Sequence, residues 1–182
     1  MEKLKNYIYG EWIEGNGNGI PLYNAVNGEQ VAISDTEGLN FEQALDYGRT
    51  VGYKNLSSMT FYDRGEMLKK VALYLLERKK KYYELSYKTG ATHVDSWVDI
   101  EGGFGTFFTY SGLAKRMLPN TPFWVDGDTQ KISANGTFLG THILTPSEGV
   151  SVQINAYNFP VWGMLEKLST SLLAGVPSIV KP

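Results

Sequence analysis

Side chains able to bind a ligand or assist a reaction cluster near the end of this 182-residue chain. Val150, Val152 and Ile154 alternate with Ser151, Gln153 and Asn155, the period of two that marks a strand. Ala156-Tyr157-Asn158-Phe159-Pro160 is a sharp junction. Val161, Leu165, Leu168, Leu172 and Leu173 then keep helical spacing, with Gly175 and Pro177 closing the helix. Ser178-Ile179-Val180 reads as a second short strand before Lys181-Pro182. Strand, crossover helix and strand make a βαβ unit of a parallel sheet, and such sheets take ligands beyond the carboxyl ends of their strands. Asn155 to Asn158 and Lys181 fall at that edge. By themselves these residues also have structural readings: Asn158 as the cap of the following helix, Lys181 as an ordinary lysine at a strand end.

Elsewhere the sequence offers little. It contains no cysteine, which removes disulfides, thiolate metal sites and a thiol nucleophile from this chain. Its two histidines, His93 and His142, lie far apart and match neither a triad nor a zinc spacing. Asp95 and Asp99 would share a helix face near His93 and Glu101, but a solvated pair is preferred to a metal site, so no metal is expected. Gly103-Phe104-Gly105-Thr106-Phe107-Phe108 approaches GxGxxG with Phe108 in the third glycine position. No strand-like run precedes it, and Trp97, Ile100, Phe104, Phe107, Phe108 and Leu113 keep helical spacing. A packed helix whose glycines admit a close neighbour is the expectation. Gly15-Asn16-Gly17-Asn18-Gly19 lacks the Lys-Ser/Thr ending of a phosphate loop and reads as a turn.

The elements that must position the edge come earlier. Tyr7 to Ile13 alternates as a strand; Leu22-Tyr23 and Gln30 to Ile33 form a strand pair around Asn27-Gly28. Leu39 to Tyr53 reads as a helix. A second starts at Thr60, with Asp63 as a capping partner and Met67, Leu68, Val71, Leu75 and Leu76 as its apolar stripe. Glu77 to Lys81 is read as a solvated helix end, and a third helix runs through Tyr82, Leu85 and Tyr87 to Gly90. Asp95 to Leu118 is the long packed helix. Pro119, Pro122, Gly127 and Asp128 mark a loop, followed by a hairpin of Lys131–Ser133 and Thr137–Leu144 around Asn135-Gly136. Such a hairpin can project and pair with another chain.

Forty-two per cent hydrophobic residues and a net charge of −2 describe a globular chain and argue against a nucleic-acid binder, which needs a basic stripe. No apolar run approaches a membrane span, and the first residues carry no secretory h-region, so the cytoplasm is expected.

INAYNFPVWGMLEKLSTSLLAGVPSIVKP resembles the aldehyde dehydrogenase segment that ends the first Rossmann strand, crosses by a helix and reaches a Lys-Pro. YNAVNGEQVA resembles the family's second hairpin, and RGEMLKKVALYLLERKKKYYELSYKTG its paired helices, so the likeness spans nearly the whole chain. MTFYDRGEMLKK, TGATHVDSWVDIEGG and NAYNFPVWGMLEKL are similar to one branch, the dehydrogenase half of the bifunctional ring-cleavage enzymes of phenylacetate degradation. The resemblance implies an α/β fold: the N-terminal part of a Rossmann-like domain with a projecting β-hairpin for oligomerisation. It implies oxidation of an aldehyde, a CoA-linked semialdehyde in that branch, with NADP or NAD and a lean to NADP. Asn158 matches the asparagine that donates to the oxyanion formed when a thiolate attacks the aldehyde. Lys181 matches the lysine that approaches the adenosine ribose, the backbone around Ile154, Asn155 and Ala156 would lie along the cofactor, and Tyr157 is counted with them as cofactor-binding. Ala156-Tyr157 replaces the family's Pro-Trp, which leaves the loop looser while keeping a ring.

The corresponding organisation is residues 1–128 as hairpins and helices of the cofactor-binding domain, 129–146 as the oligomerisation hairpin and 147–182 as the first βαβ unit. The family's thiolate, its water-activating glutamate and its glycine-rich pyrophosphate turn are expected beyond Pro182. The chain alone should then be inactive, and a homo-oligomer is expected. The alternative is a non-catalytic interaction module that works through its hairpin and exposed sheet edge.

Overall fold

In the computed structural model, residues 2–182 are described. Strands β1 (Lys5–Ile8) and β2 (Glu11–Glu14) pair antiparallel across a turn at Tyr9-Gly10, both at positive φ (57° and 87°). The stretch Tyr7 to Ile13, expected as one strand, is therefore two. The turn folds it back so that Tyr7 meets Trp12, ring centroids 5.1 Å apart. A second antiparallel pair, β3 (Ile20–Tyr23) and β4 (Gln30–Ser34), encloses Asn27-Gly28 as expected.

Helix α1 (Phe41–Tyr47) continues through a π-helical turn (Gly48–Gly52) into α2 (Tyr53–Ser58), so the expected helix does not stop at Tyr53. Helix α3 (Phe61–Glu77) starts in a complete capping box: Thr60 accepts from the Asp63 amide and Asp63 accepts from that of Thr60. A break at Arg78 separates α3 from α4 (Lys79–Ser86), which ends in a 3-10 turn and Gly90 at φ 85°. Lys79 thus opens a helix rather than closing one, and it is not merely solvated, since it pairs with Glu101 at 2.9 Å. Helix α5 (His93–Met117) has its own capping box, Thr92 with Asp95.

The core lies where α3, α5 and α6 (Pro160–Leu173) meet, with Leu68, Ala72, Ile100, Phe104, Phe107, Ala114, Leu165 and Leu173 buried together. Two residues depart from the expected apolar faces. Val71 and Trp97 are exposed, whereas the charged Arg64 is fully buried. Periodicity locates a stripe, but which edge of the stripe is covered depends on where the neighbouring helices cross it.

Strand β5 (Trp124–Lys131) pairs antiparallel with β6 (Leu139–Leu144). The expected loop from Pro119 to Asp128 is therefore shorter than read. Gly127 (φ 75°) and Asp128 sit inside a register shift of β5 instead of ending it, as a bulge does. The tip turn lies at Asn135-Gly136, as expected, with the Gly136 amide donating to Ser133 O. Strands β7 (Ser151–Ile154) and β8 (Ser178–Lys181) are parallel, joined by α6, with Ile154 opposite Lys181. No helix among the described residues is long and apolar enough to cross a membrane.

Candidate functional site

The carboxyl edge of β7 and β8 is tied together by one side chain. Asn155 is buried, its backbone amide donates to Lys181 O at 3.1 Å, and its Nδ2 donates to the same oxygen at 3.2 Å. Its Oδ1 accepts from Lys167 Nζ at 2.6 Å, and that ammonium also donates to Gly163 O at 3.1 Å. Asn155 was expected to act through its backbone; its side chain is a clamp between the two strand ends and the first turn of α6. The signal was present in the sequence only as the single lysine of α6, Lys167, within reach of the strand end.

Beyond the clamp the chain is open. Ile154 is 72% exposed and Tyr157 86% exposed, and Lys181 Nζ sits 4.6 Å from the centre of the Tyr157 ring, within cation–π range. Ile154, Lys181 opposite it in the strand register, and Tyr157 thus form one exposed strip at the strand edge.

Asn158 lines a cleft of about 300 Å³ together with Val98, Ala156, Phe159, Trp162, Glu166 and Lys167. Its carboxamide makes no hydrogen bond within the described residues. Asn158 is not the cap of α6. The cap position is Phe159, in the left-handed region (φ 52°, ψ 49°), and no side chain of the loop caps the helix. The amides of Val161 and Trp162 donate to Asp99 on α5, at 3.3 and 2.8 Å. Asp99 is therefore buried and bonded, not solvated as expected, while Asp95 is engaged in the cap of α5. Burial pushes the Asp99 carboxyl above its ordinary range, against the pull of the two amides.

Of the two motif glycines of α5, Gly103 admits the close neighbour expected, whereas Gly105 faces open space. A Cβ on Gly103 would stand 3.1 Å from the Trp162 backbone, and one on Gly102 would stand 2.9 Å from its indole. Asp99, Gly102 and Gly103 share one face of α5 by their spacing of three and four, a pattern visible in the sequence. His93 and His142 stay apart: His93 Nδ1 lies 3.0 Å from Tyr87 Oη, and His142 sits on β6 opposite Asp126.

Comparison with known proteins matches the Aldehyde dehydrogenase family over residues 12–182. The chain is 36% identical to the 3,4-dehydroadipyl-CoA semialdehyde dehydrogenase of Aromatoleum evansii, over 99% of its own length and 35% of that relative. It is 28% identical to retinal dehydrogenase 2 of Homo sapiens, over 100% of itself and 34% of that protein. Among solved structures, 3,6-anhydro-L-galactose dehydrogenase in complex with NAP superposes with a TM-score of 0.83 at 26% identity, covering all of this chain and 36% of the other. The chain spans about a third of the length of the curated relatives it matches.

Proposed function

This chain belongs to the aldehyde dehydrogenase family, and from that premise we propose that it forms the first third of an enzyme oxidising a CoA-linked semialdehyde to its acid with NADP or NAD. Likeness to the semialdehyde dehydrogenase of Aromatoleum evansii supports the substrate class. Phenylacetate degradation is the proposed setting.

The single observation that carries the chemistry is the unengaged carboxamide of Asn158 in its cleft. When a nucleophile adds to an aldehyde, the carbonyl oxygen gains negative charge. An N–H already aimed at that oxygen stabilises the charge without having to reorganise, and one such donor is worth about 3–4 kcal/mol of barrier. Asn158 is proposed as that donor. The thiolate itself must come from residues outside this sequence, which has no cysteine.

Ile154, Asn155, Ala156, Tyr157 and Lys181 are proposed to hold the cofactor, which when bound supplies the oxidising power. The fit rests on the strip described above: backbone left open beyond a rigid strand edge, and an exposed ammonium beside an aromatic face. Lys181 there suits a ribose hydroxyl or a 2′-phosphate, and the latter is the ground for the lean to NADP. Asn155 contributes by holding the two strand ends in register.

Two measurements test this reading. In the full-length enzyme, Asn158→Ala should lower kcat by about 10²–10³ with little change in cofactor affinity. Unaltered turnover per folded molecule would refute the oxyanion role. The 182-residue chain alone should reduce neither cofactor in the presence of aldehyde, and reduction above a no-enzyme control would show that the chemistry does not need an external thiolate.

We further propose that the protein is a homo-oligomer through the hairpin of β5 and β6, because every residue of β5 is exposed.

A further inference from the structure

Helix α6 begins without a side-chain cap from its own loop. Pro160 has no amide hydrogen to be capped. Phe159 occupies a left-handed conformation that a non-glycine residue rarely adopts, and its side chain has no acceptor. The first amides that need a partner, those of Val161 and Trp162, both donate to the Asp99 carboxylate, more than sixty residues earlier on α5. We propose that Asp99 is the positioning residue of Asn158: it holds the 155–159 loop in the form that leaves the Asn158 carboxamide free. This inference rests on the reading of Asn158 as the oxyanion donor.

Three observations carry it. An asparagine next to a helix start is ordinarily drawn into capping that helix, because free amides and a short carboxamide satisfy one another. Here Asp99 takes both amides, so Asn158 has no such partner to turn toward. Next, the strained Phe159 backbone persists only if its surroundings fix it. It is bracketed by the Gly163 amide donating to Phe159 O at 3.0 Å and by the two bonds to Asp99. Finally, Asp99 is itself closely packed: it lies buried in a long helix, and Gly103 lets the Trp162 backbone come against that helix at 3.1 Å from where a Cβ would stand. Placed at the positive end of α6, the carboxylate also offsets the helix dipole. That field is then spent on Asp99 and not on the cleft, and the donor role falls to the Asn158 carboxamide.

A double-mutant cycle in the full-length enzyme tests the proposal: wild type, Asn158→Ala, Asp99→Asn and the pair. Asparagine at 99 keeps one acceptor but presents an NH2 to the second amide, so it should release the loop with little change in volume. Asp99→Asn alone should lower kcat about 10–10²-fold, with the KM for cofactor unchanged, as expected when a reacting group is displaced by a fraction of its length. In the Asn158→Ala background the same substitution should have no further effect on kcat. Multiplying losses would overturn the proposal, since Asp99 would then act independently of Asn158. An unchanged kcat for Asp99→Asn, with Asn158→Ala impaired, would overturn it while leaving the oxyanion reading intact. A silent Asn158→Ala would sink both. Should Asp99→Asn fail to fold, Gly103→Ala displaces the Trp162 backbone with the carboxylate retained. It goes through the same cycle with the same expected non-additivity and the same overturning results.

Discussion

Asp35 shows how much a single buried carboxylate can organise. It closes the turn between the two N-terminal hairpins, pairing with Lys3 Nζ at 2.6 Å and accepting from the amides of Gly17 and Glu37 at 2.8 and 2.9 Å. The Lys3 ammonium first, then the Glu37 amide, hold its carboxyl below the ordinary value of 3.8. A depressed folded-state value means that the unfolded chain takes up the proton first as pH falls. The stabilisation is therefore complete well above pH 3.8 and is lost below it, as the pH passes through the folded-state value. Urea unfolding between pH 3 and 6 should show Asp35→Asn losing most stability at the upper end, with the difference from wild type shrinking toward the lower. A constant difference across that range would mean that the carboxylate's charge does not matter. At the same scale, Asn158 and Asp99 divide the work of one junction: one residue is left free because another is fully occupied.

Between elements, the tie of interest is the one joining α3 to the turn between α6 and β8. Arg64 is fully buried on α3. Its Nη2 donates to Pro122 O at 3.2 Å, its guanidinium lies 4.5 Å from the Phe61 ring centre, and Nη1 faces Gly175 without a hydrogen-bond partner. Gly175 sits at φ 84°, and a Cβ there would collide with that Nη1 and lie 2.8 Å from Pro146. Gly175→Ala thus combines left-handed strain with overpacking and should cost about 2–4 kcal/mol. The urea midpoint should fall with an unchanged slope. A loss under about 0.5 kcal/mol, the range of an ordinary surface change, would show that Arg64 moves aside freely.

For the molecule as a whole, the uncovered surfaces decide behaviour. Val152 and Ile154 are 66% and 72% exposed on the face of β7 away from α6, and the hairpin leaves Ile132, Phe138, Leu139, Ile143 and Leu144 exposed as well. Strand edges with apolar side chains pair readily with other chains. The 182-residue chain should therefore self-associate at micromolar concentration. Light scattering coupled to size exclusion would read a multiple of 20.3 kDa. A clean monomer with cooperative unfolding would mean that these surfaces are satisfied within one copy.

Much of the local architecture was determined by the sequence alone, because it depends on neighbours a few residues apart. The Thr60-Asp63 cap, the Asn135-Gly136 turn, the helical spacing of α5 and the strand-helix-strand order of residues 150–181 are all of this kind. The motif around Asn158 also made the family legible. What the tertiary structure decided is which side chains those elements bring together across long separations. Composition and spacing gave no reason to bury Asp99, expose Val71 and Trp97, or draw the amides of α6 onto α5. The sequence of residues 155–167 equally did not reveal that Asn155 would be clamped while Asn158, three residues on, stayed free. A hydrogen bond spanning more than sixty residues leaves no periodic trace. It exists only because Gly102 and Gly103 let two helices approach closely enough for one carboxylate to reach the start of the other.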